Sequence, residues 1–187
     1  MASPETKICK GATIIGLDEG NIKFGYGCMV HPFSKIIAEG GSSIIFGDYN
    51  IIEEGVLIKA CPKKNSKTGK EEPFSMYIGN YNNFKIGAHV ENTSVQDYNI
   101  IDYKAKIVNG YIESQTVMMP LAEIKEGKIL RKGAVLLPKN KLMINSTFEE
   151  ETYKNNIKNL VGVLEHLFNL AMTKKWKLKV YLIITYY

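Results

Sequence analysis

The chain has 187 residues, 45% of them hydrophobic and 23% charged, which excludes wholesale disorder and a collagen-like repeat and fits one domain with a real core. Lys and Arg total 24 against 19 Asp and Glu, a mild net charge of +5. Arg131 is the single arginine and the lysines are scattered, whereas a nucleic-acid surface clusters its basic residues and uses arginine forks, so nucleic acid is not an expected partner.

Met1 to Lys10 holds no apolar segment of signal-peptide type, and no later run approaches the roughly 18 to 20 apolar residues of a bilayer span, so neither secretion nor membrane insertion is expected. The three cysteines, Cys9, Cys28 and Cys61, are an odd number without C-x-x-C spacing. They argue against a disulfide framework or a cysteine zinc site, and for a reducing compartment.

From residue 8 onward the apolar residues fall into a register. Ile8, Ala12 and Ile14 open it, and Phe24, Cys28, Val30, Ser34 and Ile36 repeat it before Gly40-Gly41-Ser42-Ser43. Three segments then read almost alike: Phe46-Gly47-Asp48-Tyr49-Asn50-Ile51-Ile52, Ile78-Gly79-Asn80-Tyr81-Asn82-Asn83-Phe84 and Val95-Gln96-Asp97-Tyr98-Asn99-Ile100-Ile101. Each starts on an apolar residue, has Asn four later and an apolar residue six later. Val56 and Ile58, Ala88 and Val90, and Ala105 and Ile107 continue the step, with Val117 and Met119, then Leu130, Ala134 and Leu136, further on.

A period of six fits neither a helix, which needs apolar steps of three and four, nor a tight-turned meander. It fits a coil with three short flat faces and roughly 18 residues per turn, in which inward residues stack on their equivalents one turn away. The spacings of 22, 32 and 17 between Phe24, Phe46, Ile78 and Val95 then imply a four-residue surplus at Gly40–Ser43 and an extruded loop over 61–75, read as solvated. About seven turns are expected over residues 7 to 138, a prism on the order of 30 Å long at the parallel-strand spacing. Asn50, Asn82 and Asn99 are expected to supply left-handed corners and to bond the next turn. Tyr49, Tyr81 and Tyr98 form an outward file that either shields the corner backbone or meets a partner.

Beyond Asn145 the period changes. Thr147 reads as an N-cap with Glu150 completing a capping box, and Tyr153, Ile157, Leu160, Val161, Leu164, Leu167, Phe168 and Ala171 mark an amphipathic helix of about 25 residues. Its wide stripe needs cover, from a face of the coil or from the open edge of the last turn. Trp176, Leu178, Val180, Leu182 and Ile184 alternate as in a strand, and no role is assigned to them. The expected organisation is therefore a coil over 1–145, a helix over 146–174 that packs on it, and a short apolar tail over 175–187.

Six-residue repeats of this kind resemble the hexapeptide family, and the resemblance implies a left-handed parallel β-helix in an all-β chain. A closer resemblance rests on His31-Pro32-Phe33-Ser34-Lys35-Ile36-Ile37-Ala38-Glu39-Gly40 followed by Phe46-Gly47-Asp48-Tyr49-Asn50-Ile51-Ile52-Glu53-Glu54. With the charged, proline-containing insertion and the terminal helix in the same order, this is similar to the dynactin subunit 6 family over roughly residues 7 to 172. That implies a non-enzymatic structural and adaptor role in the dynactin pointed-end complex, serving dynein-dependent microtubule transport in the cytoplasm and cytoskeleton. The implied partners are dynactin subunit 5 as heterodimer mate, dynactin subunit 4 and the pointed-end actin-related protein. Tyr49, Tyr81, Tyr98, Leu160, Leu164 and Phe168 are the residues expected to face a partner.

The enzyme alternative is a hexapeptide acyltransferase or a γ-carbonic-anhydrase-like protein. A zinc site needs three imidazoles, in that family an H-x4-H pair plus a third. His31, His89 and His166 include no such pair and sit at different register positions, so no catalytic residue, metal or cofactor is expected. His89 is the one plausible general base of an acyltransferase, and a solvated surface residue is the simpler reading of it. Glu53 and Glu54 are adjacent on a strand and point oppositely, which disfavours paired acid–base work.

Overall fold

Inward residues six apart close the chain into a three-sided coil. The structure, a computed structural model, describes residues 5–124, 127–144 and 147–172. The first face stacks Lys7–Ile8, Met29–Val30, Ile51–Ile52, Asn83–Phe84, Ile100–Ile101, Val117–Met118 and Ala134–Leu137 as parallel strands. The second runs from Thr13–Ile15 through Lys35–Ala38, Leu57–Ala60, His89–Glu91 and Lys106–Val108 to Glu123–Ile124. The third runs from Ile22–Lys23 through Ser43–Phe46, Ser75–Ile78, Ser94–Val95 and Tyr111–Ile112 to Ile129–Leu130. Seven rungs on the first face and six on each of the others match the expected coil of about seven turns.

Every inward position read from the sequence between Phe24 and Ile107 is buried, and the aliphatic ones form a single column with Met76, Ile112 and Met118. Each fully buried Ile or Phe in it contributes roughly 1.5–3 kcal/mol of transfer free energy. The turn is shorter than expected. Asn83 pairs with Ile100 and Ile100 with Val117, 17 residues apart each time, and only the last step, Val117 to Val135, takes 18. The inward residues of the sixth turn are therefore Ile112, Thr116 and Met118, not Val117 and Met119. Glu113, which a period of 18 would turn inward, faces out and accepts from Arg131 at 2.8 Å and from the Lys132 amide at 2.9 Å.

The corner between the third and first faces explains the repeated motif residue by residue. The Asp48 carboxylate accepts from the Tyr26 amide, the Asn80 side-chain oxygen from the Asp48 amide, and the Asp97 carboxylate from the Asn80 amide, at 2.6 to 2.8 Å. A Cβ on Gly25, Gly47 or Gly79 would lie within 2.4 Å of those same oxygens, so the glycine makes room for the next turn's capping side chain. Where the next turn supplies the shorter Ser114, the position accepts Gln96. The left-handed residue is the tyrosine and not the asparagine: φ is +54°, +57° and +61° at Tyr49, Tyr81 and Tyr98. Asn50, Asn82 and Asn99 instead run up the core as a ladder, each side-chain oxygen accepting the amide of the equivalent residue one turn on, Asn82, Asn99 and Thr116.

The segment from 61 to 75 is an ordered hairpin, with Lys63–Lys64 antiparallel to Glu71–Glu72 and an Asn65 side chain accepting the Lys67 and Thr68 amides at its tip. Lys63 bonds the Asn92 carbonyl at 2.9 Å and sits over the Phe74 ring, so its base is pinned to the coil. After Leu137 the chain reverses through Pro138–Asn140, and Lys141–Ile144 lies antiparallel on the last rung. The open final edge is thus covered by this strand and not by the helix. Helix α1 spans Glu150–Met172, starting three residues beyond Thr147, with the Tyr153 amide bonded to the Glu149 carbonyl and the Thr152 hydroxyl to the Glu149 carboxylate. The strand expected at 176–184 lies outside the described residues.

Candidate interaction surfaces and histidine sites

Stacking one rung apart brings the three tyrosines into a continuous aromatic file. Tyr49 and Tyr81 lie 5.2 Å apart and Tyr81 and Tyr98 5.5 Å, both nearly parallel, and Tyr26 meets Tyr49 edge-on. Gly27 precedes the file, and a Cβ there would come within 2.8 Å of the Tyr49 ring. A left-handed tyrosine costs about 1–2 kcal/mol of backbone strain, offset by ring stacking worth roughly 0.5–1.5 kcal/mol per pair and by what lies over it.

What lies over it is α1. Ile157 and Val161 are buried against Met29 and Ile51, the outward residues of the first face, with Tyr49, Tyr81, Tyr153 and Leu164 around them. Phe148 and Tyr153 close on Tyr98, while Lys154 and Lys158 sit over the rings of Tyr98 and Tyr49. Burial, then a hydrogen bond to Glu150, pushes the Tyr98 phenol above its ordinary range, and burial does the same to Tyr153. The Lys154–Glu150 pair at 2.9 Å completes this knot at the start of the helix.

The six residues expected to face a partner therefore divide. Tyr49, Tyr81 and Tyr98 are half-buried as the seat of α1, and Leu164 and Phe168 are half-buried on the helix, whereas Leu160 is exposed beside Val163. On the third face Ile45, Tyr77, Tyr111 and Ile129 project outward and are all exposed, with Ser94 interrupting the apolar file between Tyr77 and Tyr111. Its sequence signal was the residue just before each inward Phe46, Ile78, Ile112 and Leu130, a place the six-residue reading leaves unassigned.

The histidines stay apart. His31 is buried, and its Nδ1 lies 3.0 Å from a Glu54 carboxylate oxygen. Burial pushes the Glu54 carboxyl up, but the hydrogen bond and charge of His31 outweigh it and hold it below the ordinary range. Glu53, pointing the other way, is raised by burial although its carboxylate accepts the Ile86 amide. His89 projects from the second face, its Nε2 3.1 Å from a Glu91 oxygen, and His166 is exposed on α1. Among the described residues no three His, Cys, Asp or Glu side chains gather to hold a metal. Burial pushes the Cys28 thiol up to about 11, and burial with the nearby Glu54 charge does the same for Cys9, so both thiols are protonated and weakly nucleophilic at neutral pH. No helix among the described residues is long and apolar enough to cross a membrane.

Comparison with known proteins separates fold from kinship. A hexapeptide transferase family protein from Anaplasma phagocytophilum superposes with a TM-score of 0.66 at 11% identity, covering 87% of this chain and 89% of that one. A UDP-N-acetylglucosamine acyltransferase from Bacteroides fragilis gives 0.51 at 15% identity over 83% of this chain and 70% of that one. These identify the coil as a left-handed parallel β-helix and carry no activity with them. No family model matches the sequence. Dynactin subunit 6 of Xenopus tropicalis is 27% identical over 173 residues, 90% of this chain and 86% of the relative. That of Nematostella vectensis is 35% identical over 101 residues, 54% of this chain and 52% of the relative. That of Dictyostelium discoideum is 30% identical over 142 residues, 75% of this chain and 68% of the relative. By its sequence similarity to these relatives, the chain belongs to the dynactin subunit 6 family.

Proposed function

We propose that this chain is a non-enzymatic structural and adaptor subunit of the dynactin pointed-end complex, pairing with dynactin subunit 5 beside dynactin subunit 4 and the pointed-end actin-related protein. It would act there in dynein-dependent microtubule transport, in the cytoplasm and on the cytoskeleton. The observation that carries this reading is the extent of the kinship: the match to the Xenopus relative runs over 173 residues, 90% of this chain and 86% of the relative. The histidines support it, since His31 and His89 are each held by a neighbouring carboxylate and lie on different faces. The partner-facing residues we assign are Leu160 with Leu164 and Phe168 on α1, with Tyr49, Tyr81 and Tyr98 beneath as the seat that orients the helix. The organisation as a coil over 1–145, a helix over 146–174 and a tail over 175–187 is part of the same reading.

Co-expression with the cognate dynactin subunit 5 tests it. Co-elution on gel filtration and a raised melting temperature for both chains are expected, with Leu160→Asp weakening the pair and leaving this chain's own melting temperature unchanged. Separate peaks without mutual stabilisation overturn the reading. Turnover of acetyl-CoA or hydration of carbon dioxide, lost in His89→Ala, would establish an enzyme instead.

A further inference from the structure

The last turn of the coil concentrates the chain's charge. Residues 127–144 hold Lys128, Arg131, Lys132, Lys139 and Lys141 and no acidic residue, a charge of +5 that equals the net charge of the whole chain. Everywhere else basic and acidic residues balance in number. Arg131 is engaged by the Glu113 carboxylate at 2.8 Å, and Glu150, at the start of α1, by Lys154. Lys128, Lys132, Lys139 and Lys141 are exposed and form no ion pair among the described residues, with Glu123 the exposed acid of the preceding rung.

The same turn ends in an open sheet edge. Lys141–Ile144 pairs with Ala134–Leu137 on one side and with no strand on the other among the described residues. The second and third faces stop earlier, at Glu123–Ile124 and Ile129–Leu130, so no strand of theirs stands opposite it. Leu142 and Ile144 lie across from the inward Leu136 and Ala134 and point to the same side, yet they are 56% and 79% exposed. Helix α1 leaves this end uncovered, because Tyr153 reaches the Asn99 carbonyl at the fifth rung and Glu165 pairs with Lys7 at the first. Unpaired backbone groups beside exposed apolar side chains are a template for another strand.

Charge selects among the possible occupants. The register sets Lys139 beyond the Lys141 end of the strand and the Arg131–Lys132 corner beside its Ile144 end, so both ends of the edge are basic. Two copies of this chain joined here would bring like charges together, which opposes self-pairing. A nucleic acid is gripped by arginine forks, and the one arginine is already held by Glu113. An edge that is apolar between cations fits a peptide added as a strand, whose side chains alternate between two faces.

We propose that the free edge of Lys141–Ile144 takes an extended acidic segment of another protein as an added strand. Its apolar side chains lie beside Leu142 and Ile144, and its carboxylates meet Lys132, Lys139 and Lys141. This surface is separate from α1 and stands whether or not the helix faces a partner.

The test uses the full chain and a labelled octapeptide that alternates glutamate and valine, with binding read by fluorescence anisotropy. Saturable binding that weakens as salt rises is expected. In Lys139→Glu/Lys141→Glu, whose melting temperature should match the parent's, affinity is expected to fall on the order of tenfold or more. Two further peptides, N-methylated on one or the other alternate set of amides, separate strand addition from simple charge attraction. Only one set faces the edge, so one peptide should bind like the unmethylated one and the other should lose binding. Absence of saturable binding overturns the proposal, as do two methylated peptides that bind alike. Binding of phosphatidylserine vesicles or of an oligonucleotide, with none of the peptide, overturns it in favour of another class of partner.

Discussion

The two ends of the coil are built from the same repeat and finished differently. At the C-terminal end Leu130, Ala134 and Leu136 are 4%, 2% and 4% exposed, because the chain reverses after Leu137 and lays Lys141–Ile144 antiparallel on the last rung. At the N-terminal end the corresponding inward residues are half-open and Ile15 stands in solvent. A stacked coil buries each turn only against its neighbours, so its two terminal turns need something from outside the repeat. The difference teaches that the repeat supplies the column and the non-repeating segments supply its ends.

Core truncations test this contrast most forcefully. Leu136→Ala should cost about 2–5 kcal/mol, as expected of a buried leucine that leaves a cavity. Ile14→Ala, at a half-buried position of the first turn, should cost distinctly less. Chemical denaturation of the two variants beside the parent chain measures both, and equal costs would show that the ends are equally closed.

The asparagine ladder sharpens the comparison on a smaller scale. It runs from Asn50 to Thr116 and stops towards the N-terminal end at Cys28, whose thiol contacts the Gly47 carbonyl at 3.2 Å. Asn82→Ala strands the buried Asn99 amide and should cost about 1–3 kcal/mol. Cys28→Ala breaks no rung of the ladder and should cost less, both read from the same denaturation curves. Gly27→Ala should destabilise as well, because its φ of +64° and the Tyr49 ring 2.8 Å from the new Cβ both oppose it.

Acid gives the smallest effect. The folded Glu54 carboxyl sits below its ordinary value of 4.5, so its pairing with His31 stabilises the fold above that pH and is lost as pH falls through the lower folded value. Glu54→Gln should flatten the decline in melting temperature below about pH 4.5 relative to the parent chain. An unchanged acid limb would show that other carboxylates carry it.

Much of the fold was legible because the inward column is a local pattern. Asn50, Asn82 and Asn99 with their apolar partners two, six and eight positions along fix which side chains point in, and all are buried. The turn length was not legible to the residue: 17 and 18 differ by one corner residue, and only the pairing of Ile100 with Val117 decides between them. That single residue turned Glu113 outward and gave it Arg131. The tyrosine file was visible as a file, but its cover was not. Nothing local says that Ile157 and Val161 choose Met29 and Ile51 over the open last turn, since that depends on where a 23-residue helix fits.

By itself the sequence determined a six-residue register, and with it a three-sided coil, its aliphatic column, the 61–75 insertion and a terminal amphipathic helix. These follow from short-range spacing, because each residue's in or out direction is set by neighbours a few positions away. The tertiary structure decided the left-handed corners at Tyr49, Tyr81 and Tyr98, the helix lying across them, and the unequal closure of the two ends. Those depend on which distant surfaces meet, and burial energy settles that only once the whole stack is in place.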